Sequence, residues 1–378
     1  MRKILLIYIS ILSANSTFAQ TDNRVINTAA PFLLIPSSAV GLAKGNTGVA
    51  SGLDDNTCFY NPAKIAFQKQ IDVFSASYIP WMHEYSNDLK LVVANYSYKK
   101  DEFQSFGAGI TYFNMGNMVL KDENGTELGV MKSNEFAIAG TYARALSYNT
   151  SIALTMRGIY SSILRSQGYS MPDVKPAWGI SADISMYKTI ELDFDRNFNL
   201  GFNLSNIGPK LNYGRDALKT SLPTNLRMGF GYDCAVNEDN GYSIGLDINK
   251  LLVPSPPELD QTGQIIKGKN PGRSYLNGLF SSFYDAPNGL KEELQEVNIC
   301  FGGEYRFKDA FAFRAGASYE SKVKGNRTYI GAGFEYKFSL YDQKFGLSFC
   351  YLAPLVAQSP LKNTFGMTAY IRLGEADY

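Results

Sequence analysis

The sequence predicts an all-β protein, a closed 14-stranded antiparallel transmembrane β-barrel with an N-terminal plug or hatch segment. Three observations carry that prediction. The chain opens with an export leader, most of the remainder alternates with period two, and the links between alternating segments are short at one rim and long at the other.

The leader comes first. Arg2 and Lys3 precede an apolar run from Ile4 to Leu12, followed by small residues and Thr17-Phe18-Ala19. A basic start, a short apolar core and small residues at −3 and −1 describe a secretory signal peptide cut after Ala19. Nine residues fall well short of the ~20 that a spanning helix needs, and no apolar run of 18 occurs elsewhere.

Alternation then dominates. Leu226, Met228, Phe230, Tyr232 and Cys234 are greasy, whereas Arg227, Gly229, Gly231 and Asp233 between them are small or polar. Two-sided segregation of this kind fits a sheet between unlike media. Segments of this type fall at 70–80, 88–99, 103–119, 134–147, 151–164, 177–188, 197–206, 224–236, 241–252, 295–307, 310–320, 328–339, 344–353 and 363–373. That is fourteen, an even number, and most reach the ~9–11 residues that a tilted strand needs to cross a bilayer.

The links add independent support. Lys99-Glu102, Ser147-Thr150, Asn237-Asn240, Lys308-Asp309 and Leu340-Gln343 are short, while the alternate links are longer, up to the stretch between Leu252 and Leu294. Outer-membrane barrels have short periplasmic turns and long outer loops, so the long links are assigned outside and both termini to the periplasm. The Lys188-Asn197 link, of medium length, is the exception. The domain reading is a signal peptide at 1–19, a plug or hatch segment at 20–68, and a barrel at 69–378 with a long extracellular loop at 253–294. A soluble β-sandwich or propeller also alternates, but would want bulk where this chain places Gly, Ser and Asn.

Composition narrows function. Lys and Arg number 36 against 35 Asp and Glu, so no basic footprint for nucleic acid exists. Four cysteines lack CxxC spacing and read as small apolar fillers. His83 is the only histidine and no G-x-S-x-G elbow accompanies it, so it reads as a loop residue rather than part of a triad. Gly41 to Gly48 lacks the P-loop spacing and suits close backbone packing inside a barrel. Asp54-Asp55-Asn56 reads as a turn cap rather than a cation site. No metal, no cofactor and no catalytic residue are expected. The long loop is the informative non-strand: Pro254 and Pro256 stiffen its start, and Leu279, Phe280, Phe283 and Tyr284 form an apolar cluster. Such a cluster either marks a partner site or folds over the barrel mouth and is buried.

Several motifs then point to a family. Pro31 to Ile35, Gly48 to Ala50, the Asp54 to Phe67 stretch with Tyr60-Asn61-Pro62-Ala63-Lys64, and Tyr78 to Trp81 resemble the start of the PorV family. These are FadL-like outer-membrane barrels of the type IX secretion system. The likeness continues through Asn134 to Ala137, Ser205 to Lys210, Gly245 to Pro254, Ser282 to Pro287, Lys291 to Leu294 and Pro360 to Thr364. Phe59-Tyr60 departs from the family pattern, where an aromatic pair containing Trp is expected. The resemblance implies a fourteen-stranded barrel in outer-membrane lipid with Pro31, Phe32, Asn61 and Pro62 in the plug or hatch motif. It implies a non-enzymatic protein that binds the C-terminal signal domain of cargo leaving the SprA-type translocon and delivers it to the PorU-type sortase attachment complex. Pro254, Pro256, Phe280, Phe283 and Tyr284 are the expected partner-binding residues. The alternative is a FadL-like channel for hydrophobic small molecules, against which the Gly, Ser, Asn and charged lumen-facing set argues.

Overall fold

The structure, a computed structural model, describes residues 24–375 apart from 55, 56, 85, 87, 122–125, 163–165, 168–174, 215–218, 309, 342 and 358. Fourteen long strands form the wall: β1 Gln70–Pro80, β2 Leu89–Lys99, β3 Gln104–Lys121, β4 Glu127–Ser147, β5 Thr150–Ser162, β6 Ala177–Asp193 and β7 Arg196–Ile207. The others are β8 Asn225–Ala235, β9 Gly241–Leu251, β10 Val297–Phe307, β11 Phe311–Tyr319, β12 Tyr329–Leu340, β13 Gln343–Pro354 and β14 Phe365–Glu375. Each pairs antiparallel with its sequence neighbours, and β1 pairs with β14 from Gln70↔Glu375 to Tyr78↔Met367. The ring therefore closes without an edge, the condition under which a sheet can stand in lipid with every backbone group satisfied.

The two faces meet different media, which is why the period-two pattern is so clean. Met228, Phe230, Ile244, Phe301 and Phe334 point outward and are exposed, whereas Arg227, Asp247, Cys300 and Glu335 point inward and are buried. Outward aromatics stack across strands, as in Phe334 with Phe349 at 5.7 Å and Phe338 with Phe345 at 5.3 Å. β3 carries a bulge, a register shift between Asn114 and Asn117 at which Gly116 adopts φ +75°.

Two expectations change. The Lys188-Asn197 link is not of medium length: β6 continues to Asp193 and β7 starts at Arg196, leaving Phe194 and Asp195 as the turn. Alternation persists through Ile190 and Leu192, and the charges at Glu191 and Asp193 do not end a hairpin whose tip is exposed on both faces. All the links on this rim are then short. β4 likewise begins at Glu127, ahead of the segment read from residue 134.

The second change concerns the termini. The strand ends Gln70 and Glu375 share the short-turn rim, but the described N-terminal end does not. Arg24 bonds to Glu292 in the β9–β10 loop, and the Ala29 N–H donates to Ser221 O in the β7–β8 link, both at the long-loop rim. At the other end, Lys99 on the last residue of β2 donates to Ala66 O. The described residues among 24–68 therefore thread the lumen from the long-loop rim to the short-turn rim. An even strand count fixes where strands end, not where a segment preceding them starts. The leader at 1–19 lies outside the described residues.

Within the lumen the segment folds into a 3-10 turn at Pro31–Leu34, α1 Ala39–Ala43, α2 Thr57–Tyr60 and a 3-10 turn at Pro62–Phe67. Each start has a local cause. Ser38 accepts from the Gly41 N–H and caps α1, and Asn61 accepts from the Ala63 N–H with Pro62 at the first helical position. The wall admits this backbone because it lacks side chains where contact is closest. A Cβ on Gly201 would lie 2.1 Å from Val49 O, and one on Gly302 would lie 2.2 Å from Lys44 O. The small residues on the lumen-facing side of the alternation are thus sites of backbone approach.

Candidate functional site

The lumen segment is held by charge and hydrogen bonds as well as by packing. Asp247 on β9 accepts the Gly48 and Val49 N–H groups at 2.8 and 3.0 Å and lies 3.7 Å from Arg227 on β8. Arg227 donates to Asn46 O and stacks over the Tyr60 ring at 4.9 Å. Lys64, fully buried, donates to Gly48 O at 2.8 Å and Ser51 O at 3.1 Å. Asn61, also fully buried, donates to Val49 O and to Met186 O of β6. Pro62 is buried beside it. Phe32 is 1% exposed and sits in an apolar cluster with Ile79, Trp81, Leu91 and Leu361, while Pro31 is exposed. Asp54 pairs with Lys44 at 3.8 Å; Asp55 and Asn56 lie outside the described residues. His83 lies in the β1–β2 link, two residues beyond Trp81. Cys300 and Cys350 are buried and free.

The β9–β10 loop forms the second part. It contains α3 Tyr275–Ser281 and α4 Leu290–Gln295 and is latched onto the rim by a buried ion network. Glu292, Glu293 and Glu296 face inward from one helical turn. Lys324, in the β11–β12 link, donates to Glu292 at 2.7 Å and Glu296 at 2.9 Å. Lys250, near the end of β9, donates to Glu293 at 2.8 Å and Glu296 at 2.9 Å. Arg24 makes a two-pronged contact with Glu292, both bonds at 3.1 Å. Carboxylates also gather loop backbone: Glu293 accepts from the Ala286 N–H, Glu292 from the Asn288 N–H, and Asp285 from the Ser255 N–H. Burial pushes the Glu292 carboxyl up, but the hydrogen bonds from Lys324 and Arg24 outweigh it and hold the group below its ordinary value. Asp285 has no such cation among the described residues, and burial raises it. Three chain segments far apart in sequence therefore pin one loop by pairing its three buried glutamates with cations, the condition under which such burial is tolerated.

With its acids turned inward, the loop turns its apolar residues out. Phe280, Phe283 and Tyr284 are 65%, 46% and 63% exposed. Pro254 and Pro256 are half-buried at the base of the loop, and a Cβ on Gly278 of α3 would come within 3.1 Å of the Pro254 ring. Lys269 sits over the Tyr284 ring, 3.4 Å from its centre. Sequence reading missed Leu276, Leu290 and Leu294, which are exposed on the same two helices, and it missed the ion network. Glu292, Glu293 and Glu296 at one helical face, beside an apolar face, were the available signal, since acids on the inner side of a docked helix require cations.

The fold defines a class, the closed fourteen-stranded antiparallel β-barrel, and solved structures of other proteins share it. The Pseudomonas putida toluene transporter TodX superposes with a TM-score of 0.54 at 12% identity, covering 92% of this chain and 98% of that one. The Ralstonia pickettii toluene transporter TbuX superposes with a TM-score of 0.51 at 12% identity, covering 90% and 98%. At such identities the likeness concerns fold alone. The family is given by the sequence: residues 18–258 match the profile of the type IX secretion system protein PorV, and the chain belongs to the PorV family. It is an outer-membrane component of type IX secretion. No curated protein matches the sequence significantly.

Proposed function

We propose that this barrel receives the C-terminal signal domain of secreted cargo leaving the SprA-type translocon and delivers it to the PorU-type sortase attachment complex. The chain is then exported by cleavage after Ala19, its long-loop rim faces the cell exterior, and residues 20–68 act as the plug or hatch. The observation that carries this reading is the latched loop, which presents large apolar side chains on a pre-ordered frame. A binding surface whose anchors are already ordered loses less conformational entropy on association. Phe280, Phe283 and Tyr284 are the anchors, with Pro254 and Pro256 fixing the base from which α3 projects.

The filled lumen supports delivery over conduction of hydrophobic small molecules. A cavity under the long-loop rim has a volume of about 100 Å³ and reaches Asn46, Arg227 and Tyr329. A separate polar cavity of about 530 Å³ is lined by residues toward the short-turn rim, among them Arg306, Lys337 and Arg372. Segments 39–54 and 57–64, bonded to the wall as described, support a barrier rather than an apolar passage. The test is a Phe280→Ser/Phe283→Ser/Tyr284→Ser barrel assayed for co-purification of translocon, sortase complex and a cargo signal domain in mild detergent. Loss of these with normal barrel assembly is expected; unchanged co-purification would reject the assignment.

A further inference from the structure

The charge on the rim loop is sorted by depth, and sorting reverses its sign. Between residues 252 and 296 the chain carries six acids and four bases, an acidic segment as written. Four of the acids, Asp285, Glu292, Glu293 and Glu296, are buried, the three glutamates against Lys250, Lys324 and Arg24. The four bases, Lys267, Lys269, Arg273 and Lys291, are all at least partly exposed. Glu258 and Asp260 alone remain to balance them, and Glu258 is taken up by Lys267 at 3.3 Å. The solvent-facing side of the loop is therefore cationic.

This cationic set borders the apolar anchors. Lys269 lies on the Tyr284 ring, Lys291 stands between exposed Leu290 and Leu294 on the far side of α4 from its buried acids, and Arg273 lies two residues before α3. We infer that the loop is a docking surface for a folded protein domain whose contact face has an apolar centre rimmed by Asp and Glu. The inference rests on the delivery reading above and adds the chemistry by which the partner is chosen. Complementary charge around an apolar centre speeds encounter and rejects basic partners, while the aromatic anchors set the lifetime of the complex.

The experiment uses the full-length barrel in nanodiscs and a purified C-terminal signal domain of a type IX substrate as the probe. Association rates are measured in about 20 mM and about 1 M salt, where the screening length shrinks to ~3 Å. Lys269→Glu/Arg273→Glu/Lys291→Glu is expected to slow association about tenfold or more at low salt and by less than about twofold at high salt. Asp260→Lys is expected to speed it at low salt. Heat-modifiable gel mobility and exchange protection of the loop amides report that both variants are folded. Wild-type binding that is insensitive to salt and to reversal overturns this inference and leaves the delivery reading standing. No binding by the wild type overturns both. Loss of lipopolysaccharide retention with domain binding intact assigns the basic face to lipid and also overturns the inference.

Discussion

Replacing Lys324 by Met removes one ammonium from the latch and keeps most of the side-chain volume. Glu292 and Glu296 would each lose a buried partner, with side chains 4% and 1% exposed. Breaking a buried pair from one side typically costs 3–5 kcal/mol. Glu292 retains Arg24 and Glu296 retains Lys250 and the Ser255 hydroxyl, which places the effect near the lower bound, about 3 kcal/mol. The loss falls on loop opening and not on the barrel, because Lys324 lies in the link before β12 and outside the wall. At about 1.4 kcal/mol per decade, the open loop population rises about a hundredfold. Hydrogen exchange reads this directly at the Ala286 and Asn288 amides, which donate to Glu293 and Glu292. Their exchange is expected to accelerate about a hundredfold while amides in β9 and β10 keep their protection. Lys324→Arg should restore most of the difference. Unchanged exchange in Lys324→Met would refute the latch.

Acid should open the same loop. Glu292 sits below its ordinary value, so its contribution is present above the ordinary carboxylate range and is lost as pH falls through the folded value; Asp285, raised by burial, contributes in the opposite sense and weakens the loop at neutral pH. Asn288 protection, corrected for intrinsic exchange, should hold from neutral pH downward and fall below about pH 4. Neighbouring positions on β10 should fail in different ways. Phe301→Arg puts a cation on the lipid face and is expected to cost ~2–4 kcal/mol near the bilayer centre, seen as a lower urea midpoint for barrel unfolding. Gly302→Val drives side-chain atoms into Lys44 O and should leave a barrel of normal heat-modifiable mobility whose lumen segment is displaced, measured as new single-channel conductance.

The wall was legible in the sequence because lipid and lumen impose opposite demands on adjacent residues. Phe301 and Gly302, or Phe334 and Glu335, state their faces by identity alone, and repetition of that statement gives the strand number. The reading stopped short at Thr189 to Asp193, where the apolar and charged residues still alternate but both faces of the hairpin tip are exposed. Lumen glycines were legible as small residues, though not as the seats of Val49 and Lys44 carbonyls.

What the residues by themselves determined, then, was a closed ring of fourteen strands, its register of inward and outward faces and the rim that carries the long loops, because period-two patterning is local and is written wherever two media meet. Only the tertiary structure decided the path of residues 24–68 through the lumen and the pairing of Arg24 with Glu292 across 268 residues. A charged letter does not say which way it points: the acids of α4 turn inward because Lys250, Lys324 and Arg24 converge there from separate segments, and that convergence exists only once the barrel has closed.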